Sequence, residues 1–275
     1  MADDVAGSSA VQRRGLSLSS RTLPEVGPAE MVSAAAAAGF EAAGMWVVPD
    51  RWDAATTRTV RERLADTGIR VLDVEVLAIT KDVPDDGLDR IVAIGAELGA
   101  QYALAIATEP DPARTADRFA RLCERAAAAG MRACLEFMRF TAVPTLADAL
   151  AVVRAAGHPT GAVLIDMLHL IRSGGGPDDL LGIDPALLPY TQLCDAPPAP
   201  PDEELGTLVD EALNGRVLPG DGGLPVAEIL ARLPADCSVS CEILSSALRE
   251  RFPDPAARAK AVADATRSFL ARAEG

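Results

Sequence analysis

Lysine is almost missing from this chain, with Lys81 and Lys260 the two examples in 275 residues. Schiff-base catalysis and electrostatic docking on anionic lipid both lean on lysine, so neither is indicated. Lys81 follows a strand-like run and reads as a solvated loop residue, with a substrate-facing role at a barrel mouth as the alternative. Basic side chains as a whole are outnumbered, 26 Lys and Arg against 40 Asp and Glu, for a formal net charge of −14. Nucleic acid is gripped by basic clusters that release counterions, so it is not an expected partner. Histidine is equally scarce, and two residues do not supply the histidine ligands of a multi-metal nuclease cluster.

Other absences narrow the class further. No run approaches the roughly 18 to 20 uncharged apolar residues that span a bilayer, so no membrane partner is expected. The opening MADDVAGSSAVQRR carries acids and no apolar core of a secretory signal, which leads us to expect a cytoplasmic protein. The five cysteines show no C-x-x-C spacing, and Cys134, Cys194, Cys237 and Cys241 sit in apolar runs where a free thiol behaves as a small hydrophobe. A G-x-G-x-x-G turn after the first strand is also lacking, which counts against an open dinucleotide-binding sheet.

What is present is a regular alternation. Eight apolar runs read as strands: 15–19, 40–48, 69–77, 102–107, 132–138, 162–168, 190–196 and 237–243. Helical patterns lie between and after them at about 28–38, 53–67, 86–98, 112–129, 145–156, 224–233 and 255–273. Gly39, Gly68, Gly99, Gly130 and Gly157 each follow a periodic segment, as a left-handed helix cap requires. Strand and helix in turn predict a parallel sheet with helical crossovers, and eight units at this length predict α/β architecture closed into a single (β/α)8 TIM barrel. An open doubly wound sheet is the alternative. We expect residues 1–14 to be a flexible N-terminal segment and 15–275 to be the barrel domain. Two stretches break the rhythm: 172–186, read as a turn with one short helix, and 196–223, a Pro-, Gly- and acid-rich connection placed where a lid would stand.

Four of the strand-like runs end in an oxygen-bearing side chain: Glu136, Asp166, Gln192 and Glu242. Carboxylates among apolar residues are costly unless something pairs with them, so four such placements point to a shared cation. Period-two alternation agrees, since Ser238, Ser240 and Glu242 fall on one face and Asp166 aligns with Leu164 opposite Val163 and Ile165. An all-oxygen donor set suits one divalent ion, Mn2+ or Mg2+, with Co2+ or Zn2+ as alternatives. The bland reading of each acid alone is a strand-end salt bridge to arginine. His169, three residues after Asp166, is a rim candidate for a substrate oxygen or metal ligand, while His158 reads as a turn residue. Arg216 is expected either to meet a substrate anion or to fix Asp195. Trp46 and Trp52 are candidate pocket walls, Glu75 a polar floor residue, and Gly174–Gly176 a flexible loop rather than a phosphate cradle.

Taken together, Glu136, the D-x-x-H of Asp166 and His169, the Q-L-x-D-A-P of Gln192 to Pro197, the R-x-x-P-G-x-G of Arg216 to Gly222 and the S-x-E-I of Ser240 to Ile243 resemble the xylose-isomerase-like TIM barrels. The resemblance spans residues 15 to 273, with its specific motifs after residue 130. It implies one divalent ion on Glu136, Asp166, Gln192 and Glu242, with Glu136 and Glu242 as acid/base groups and His169 beside them. Gln192 stands where many epimerases of the group carry histidine. It is similar there to the 3-dehydroshikimate dehydratases, although EALNGR (211–216) lacks the histidine those enzymes place before the arginine.

The implied activity is a metal-dependent isomerase or epimerase that abstracts a proton next to a carbonyl of a small keto-sugar or polyhydroxylated ketone. A dehydratase acting on a cyclic keto acid or keto-polyol is the near alternative, and a catalytically silent barrel subunit the third. A small carbonyl compound is thus the expected partner, and a homodimer is the assembly the resemblance allows.

Overall fold

Parallel strands bury both faces, so their sequences run apolar without a break, and each must be followed by a helix long enough to carry the chain back. The computed structural model, which describes residues 14–202 and 204–273, follows that rule eight times. Its strands are β1 Leu16–Leu18, β2 Ala42–Trp46, β3 Arg70–Ile79, β4 Tyr102–Ala107, β5 Arg132–Glu136, β6 Gly161–Asp166, β7 Tyr190–Leu193 and β8 Ser238–Cys241. All neighbouring pairs are parallel. β8 closes on β1 through Leu16 opposite Val239, Ser17 opposite Ser240 and Leu18 opposite Cys241, giving a closed (β/α)8 barrel.

The helices are α1 Pro28–Ala37, α2 Ala54–Thr67, α3 Asp86–Leu98, α4 Pro112–Ala128, α5 Leu146–Ala156, α6 Met167–Arg172, α7 Leu205–Asn214, α8 Val226–Arg232, α9 Ser246–Arg251 and α10 Pro255–Ala273. Local chemistry marks their ends. Asp53, Asp111 and Thr145 accept backbone N–H groups at the starts of α2, α4 and α5. Gly68 and Gly157 close α2 and α5 at φ of 72° and 64°, a region costly for residues with a Cβ.

Side-chain alternation divides the strands as expected. Leu164, Ala162, Leu104, Cys134 and Tyr190 fill the barrel interior, whereas Val163, Ile165, Val239 and Cys241 belong to the larger cluster between barrel and helices. All five cysteines are buried free thiols, and no helix is long and apolar enough to cross a membrane among the described residues.

The structure shortens several expected strands. The run 162–168 is strand only to Asp166, whose side chain caps α6 by accepting the His169 N–H at 3.0 Å. Run 190–196 stops at Leu193 and run 237–243 at Cys241, because the chain there turns out over the barrel rim. The connection 196–223 contains α7, whose apolar positions Leu208 and Ala212 are hidden in sequence by the flanking proline and glycine. Stretch 172–186 holds two 3-10 turns, Pro177–Leu180 and Pro185–Leu187. The expected flexible segment 1–14 lies outside the described residues except for Arg14, whose guanidinium donates to the Leu230 and Pro234 carbonyls.

Candidate metal centre and pocket

Four consecutive strands deliver the oxygen donors to one rim. Glu136 is the last residue of β5, Asp166 the last of β6, Gln192 lies within β7, and Glu242 directly follows β8. All four are buried. Glu136, Asp166 and His169 each offer a ligand atom within 4.8 Å of the others. The turn of α6 places His169 there, with Nε2 3.9 Å from Glu136 Oε1 and its ring edge-on to Phe140.

The other two donors are held together a step away. Gln192 Nε2 donates to Glu242 Oε1 at 2.8 Å, and Ser19 Oγ donates to the same oxygen at 3.1 Å. Between the two groups lies Arg216, whose Nη1 is 2.6 Å from Asp166 Oδ2 and whose Nη2 is 3.1 Å from Glu242 Oε2. Its Nε donates to the Ala212 carbonyl at the end of α7. The alternative role expected for Arg216, fixing Asp195, is not what the structure shows. Asp195 accepts instead from the backbone N–H groups of Gly220, Gly222 and Leu224. That accounts for the P-G-x-G turn: Gly220 adopts φ of 92°, and a Cβ on Gly222 would collide with Asp195 Oδ1.

Glu75 and Asp73 add two more buried acids from β3, where a register shift between Val74 and Leu77 opens the strand. Ser20 Oγ donates to Glu75 Oε1, and Tyr190 donates to Asp73 Oδ2 at 3.3 Å. With protein groups alone, this crowd of acids resists ionisation. Burial, followed by the charges of Glu242 and Asp166, pushes Glu136 well above the usual carboxylate range. Burial pushes Glu242 up to about 8, against the pull of Arg216, and Glu75 is raised to about 7 by burial and by Asp73. Asp166 differs: burial would raise it, but Arg216 beside it and His169 hold it below the ordinary value. Burial drives His169 down to about 4, which keeps its imidazole neutral.

The donor set fits a divalent cation. Buried polar atoms are nearly always satisfied, yet Gln192 Oε1 is fully buried with no hydrogen-bond partner. An amide oxygen among carboxylates that share too little positive charge is a hard-ligand arrangement. Glu136, Asp166 and His169 stand close enough together to offer ligand atoms to one ion, while Gln192 and Glu242, the other two expected donors, are joined to each other beyond Arg216.

A cavity of about 420 Å³ opens above this cluster, within the range of small-molecule sites. Glu136, Glu242, His169, Arg216, Glu75 and Trp46 all line it. Trp52 does not; it is buried, with Nε1 donating to Thr57. His158 pairs with Thr160 in a turn, Lys81 is exposed after β3, and Gly176 N–H donates to Asp179 in the 174–176 loop. Arg21, Phe140 and Leu213 reach the cavity without any signal in the sequence pattern, because their apparent setting is surface turn or loop.

The model of the xylose isomerase-like TIM barrel family matches residues 32–270. No curated protein matches the chain in sequence. Among solved structures, a xylose isomerase-like TIM barrel/4-hydroxyphenylpyruvate dioxygenase fusion protein superposes with a TM-score of 0.79 at 22% identity, over 95% of this chain. The chain spans 44% of that fusion protein's length. The IOLI protein with a bound zinc atom gives 0.78 at 18% identity over 94% of this chain and 98% of its own. The probable 3-DHS dehydratase AsbF of Bacillus anthracis gives 0.73 at 17% identity over 92% and 98%. At these identities the likeness is one of fold.

Proposed function

The chain belongs to the xylose isomerase-like TIM barrel family, and from that premise we propose that it is a divalent-metal-dependent isomerase or epimerase acting on a small hydroxylated ketone. The observation that carries this reading is the grouping of strand-end Glu136 and Asp166 with His169, each offering a ligand atom within 4.8 Å of the others, beside a cavity that Glu136, His169 and Glu242 line. Mn2+ or Mg2+ suits the oxygen donors, and the zinc in the IOLI relative keeps Zn2+ in the comparison set. When bound, the cation supplies Lewis acidity toward a substrate carbonyl, worth several kcal/mol of transition-state charge.

The chain's own side chains supply the proton transfers. Glu136 and Glu242 come from strands three apart around the barrel, so they approach a ligand in the mouth from different sides. Their raised proton affinities suit carboxylates that take and return a proton near neutral pH. One takes the proton from the carbon beside the carbonyl, and return to the other face or to the neighbouring carbon completes epimerisation or isomerisation. His169, held neutral, serves as a hydrogen-bond partner for a substrate hydroxyl. Before an ion binds, Arg216 keeps Asp166 ionised.

Dehydration on the same site is the second reading. The cavity walls favour it, since Val76, Ile106, Met138 and Leu244 suit a compact ring better than an open polyol. Incubation of the Mn2+-loaded protein with candidate ketoses and cyclic hydroxyketones in D2O separates the two. Deuterium in recovered substrate or epimer supports the first, an absorbing enone product supports the second, and neither signal with any metal contradicts both.

A further inference from the structure

We propose that the substrate carries a carboxylate and that the guanidinium of Arg21 receives it at the pocket rim. This rests on the reading of the cavity as a substrate site and names a feature of what enters it. Arg21 lies in the 3-10 turn Ser20–Thr22 that follows β1, and its guanidinium carbon stands 4.2 Å from the centre of the Trp46 ring. Both residues line the cavity, and Trp46 is 42% exposed, unusually open for so large an apolar side chain.

The contrast with Arg216 is what singles Arg21 out. Arg216 spends its donors on Asp166, Glu242 and the Ala212 carbonyl. Among the described residues, the side chain of Arg21 makes no hydrogen bond or ion pair; it lines the cavity with only the longer-range pull of the Glu75 carboxyl on its charge. Stacking on an indole orders a guanidinium without consuming its N–H donors, which lowers the cost of receiving a ligand. A planar fork of two N–H groups matches a carboxylate, whereas phosphate sites typically add a helix N-terminus or further free cations, and the other guanidinium of the cavity lining, Arg216, is already paired with Asp166 and Glu242.

The remaining walls sharpen the picture. Val76, Ile106, Phe140, Leu213 and Leu244 offer no hydrogen bonds from their side chains, so polar recognition is confined to two poles. One is the acidic floor around Glu136 and Glu242, and the other is Arg21. The ligand that fits is a hydroxyketone with an apolar or cyclic body between its carbonyl end and a carboxylate. A purely structural Arg21 would offset the neighbouring Glu75 charge and show no preference among ligands.

Calorimetric titration tests this with 3-oxocyclohexane-1-carboxylate and its carboxamide as probes, on the Mn2+-loaded protein. The wild type is expected to bind the carboxylate roughly 10-fold or more tighter than the carboxamide, the scale of hydrogen bonds to a charged group. Arg21→Gln is expected to erase that preference while leaving the carboxamide affinity within about 2-fold, and Arg21→Lys to retain part of it. A preference that survives in Arg21→Gln overturns the proposal, as does a wild type with no preference or with no carboxylate binding at millimolar concentration. The Mn2+-induced rise in Tm, measured on the same proteins, reports the metal reading separately. Loss of preference with that rise intact concerns Arg21 alone, and absence of the rise in the wild type strikes the metal reading.

Discussion

Arg216 and Asp166 form a fully buried ion pair, Nη1 to Oδ2 at 2.6 Å, in the middle of the acidic rim. The same guanidinium reaches Glu242, so one cation is shared by two acids from β6 and the end of β8. Breaking a buried pair from one side leaves a charge with neither partner nor water. Arg216→Met is therefore expected to destabilise the metal-free protein by about 3 to 5 kcal/mol in urea titration. Added Mn2+ should recover part of that loss, because a divalent ion satisfies the same carboxylates.

The pH dependence of the metal-free protein follows from acids whose folded pKa is raised. Glu242 at about 8 and Glu136 well above its usual range bind protons more tightly folded than unfolded. Their contribution is full below the unfolded value near 4.5 and is lost as pH rises through the folded value. Tm without metal should fall between about pH 5 and 8. Mn2+ favours the deprotonated carboxylates, so the stabilisation by Mn2+ should grow across the same window. His169, depressed to about 4, works in the other direction and costs stability as pH falls from about 6.5 through 4.

Gln192 separates two roles that the donor set combines. Gln192→Leu removes both the orphaned Oε1 and the N–H held by Glu242. Mn2+ affinity by isothermal titration is expected to weaken roughly 10- to 100-fold or more, since losing even a residue that only orients a ligand has that effect. Gln192→His should restore binding and shift preference toward Zn2+.

Helix α7, whose Val209, Ala212 and Leu213 line the cavity, is tied down by a second buried pair. Arg172 donates to both oxygens of Glu211 on α7, at 2.8 and 2.7 Å, and to the Pro197 carbonyl at 2.7 Å. Glu211→Ala leaves Arg172 buried without its carboxylate. Amide hydrogen exchange over 205–214 should accelerate and KM should rise, while the acidic rim keeps its Mn2+ affinity.

Sequence pattern carried the architecture a long way, for reasons visible in particular residues. Asp166 with Leu164 inward and Val163 with Ile165 outward is a strict two-residue alternation, and the structure keeps it. The helix ends at Gly68 and Gly157 were legible because only glycine adopts those torsions cheaply. Helix α7 was not legible, since ten residues between proline-rich and glycine-rich flanks read as loop. The sharing of Arg216 between Asp166 and Glu242 depends on where a loop lays down across 50 residues of chain, which local pattern does not encode. Arg21 was silent for the same reason: its meaning arises from stacking on Trp46, a neighbour on the next strand.

The most direct measurement of the central claim is anomalous diffraction from a crystal soaked in Mn2+. The account predicts a single peak within about 2.0 to 2.4 Å of oxygens from Glu136, Asp166, Gln192 and Glu242, with Arg216 displaced from between the acids. A map without that peak, in which Arg216 still bridges Asp166 and Glu242 and Gln192 Oε1 faces only protein, would contradict it.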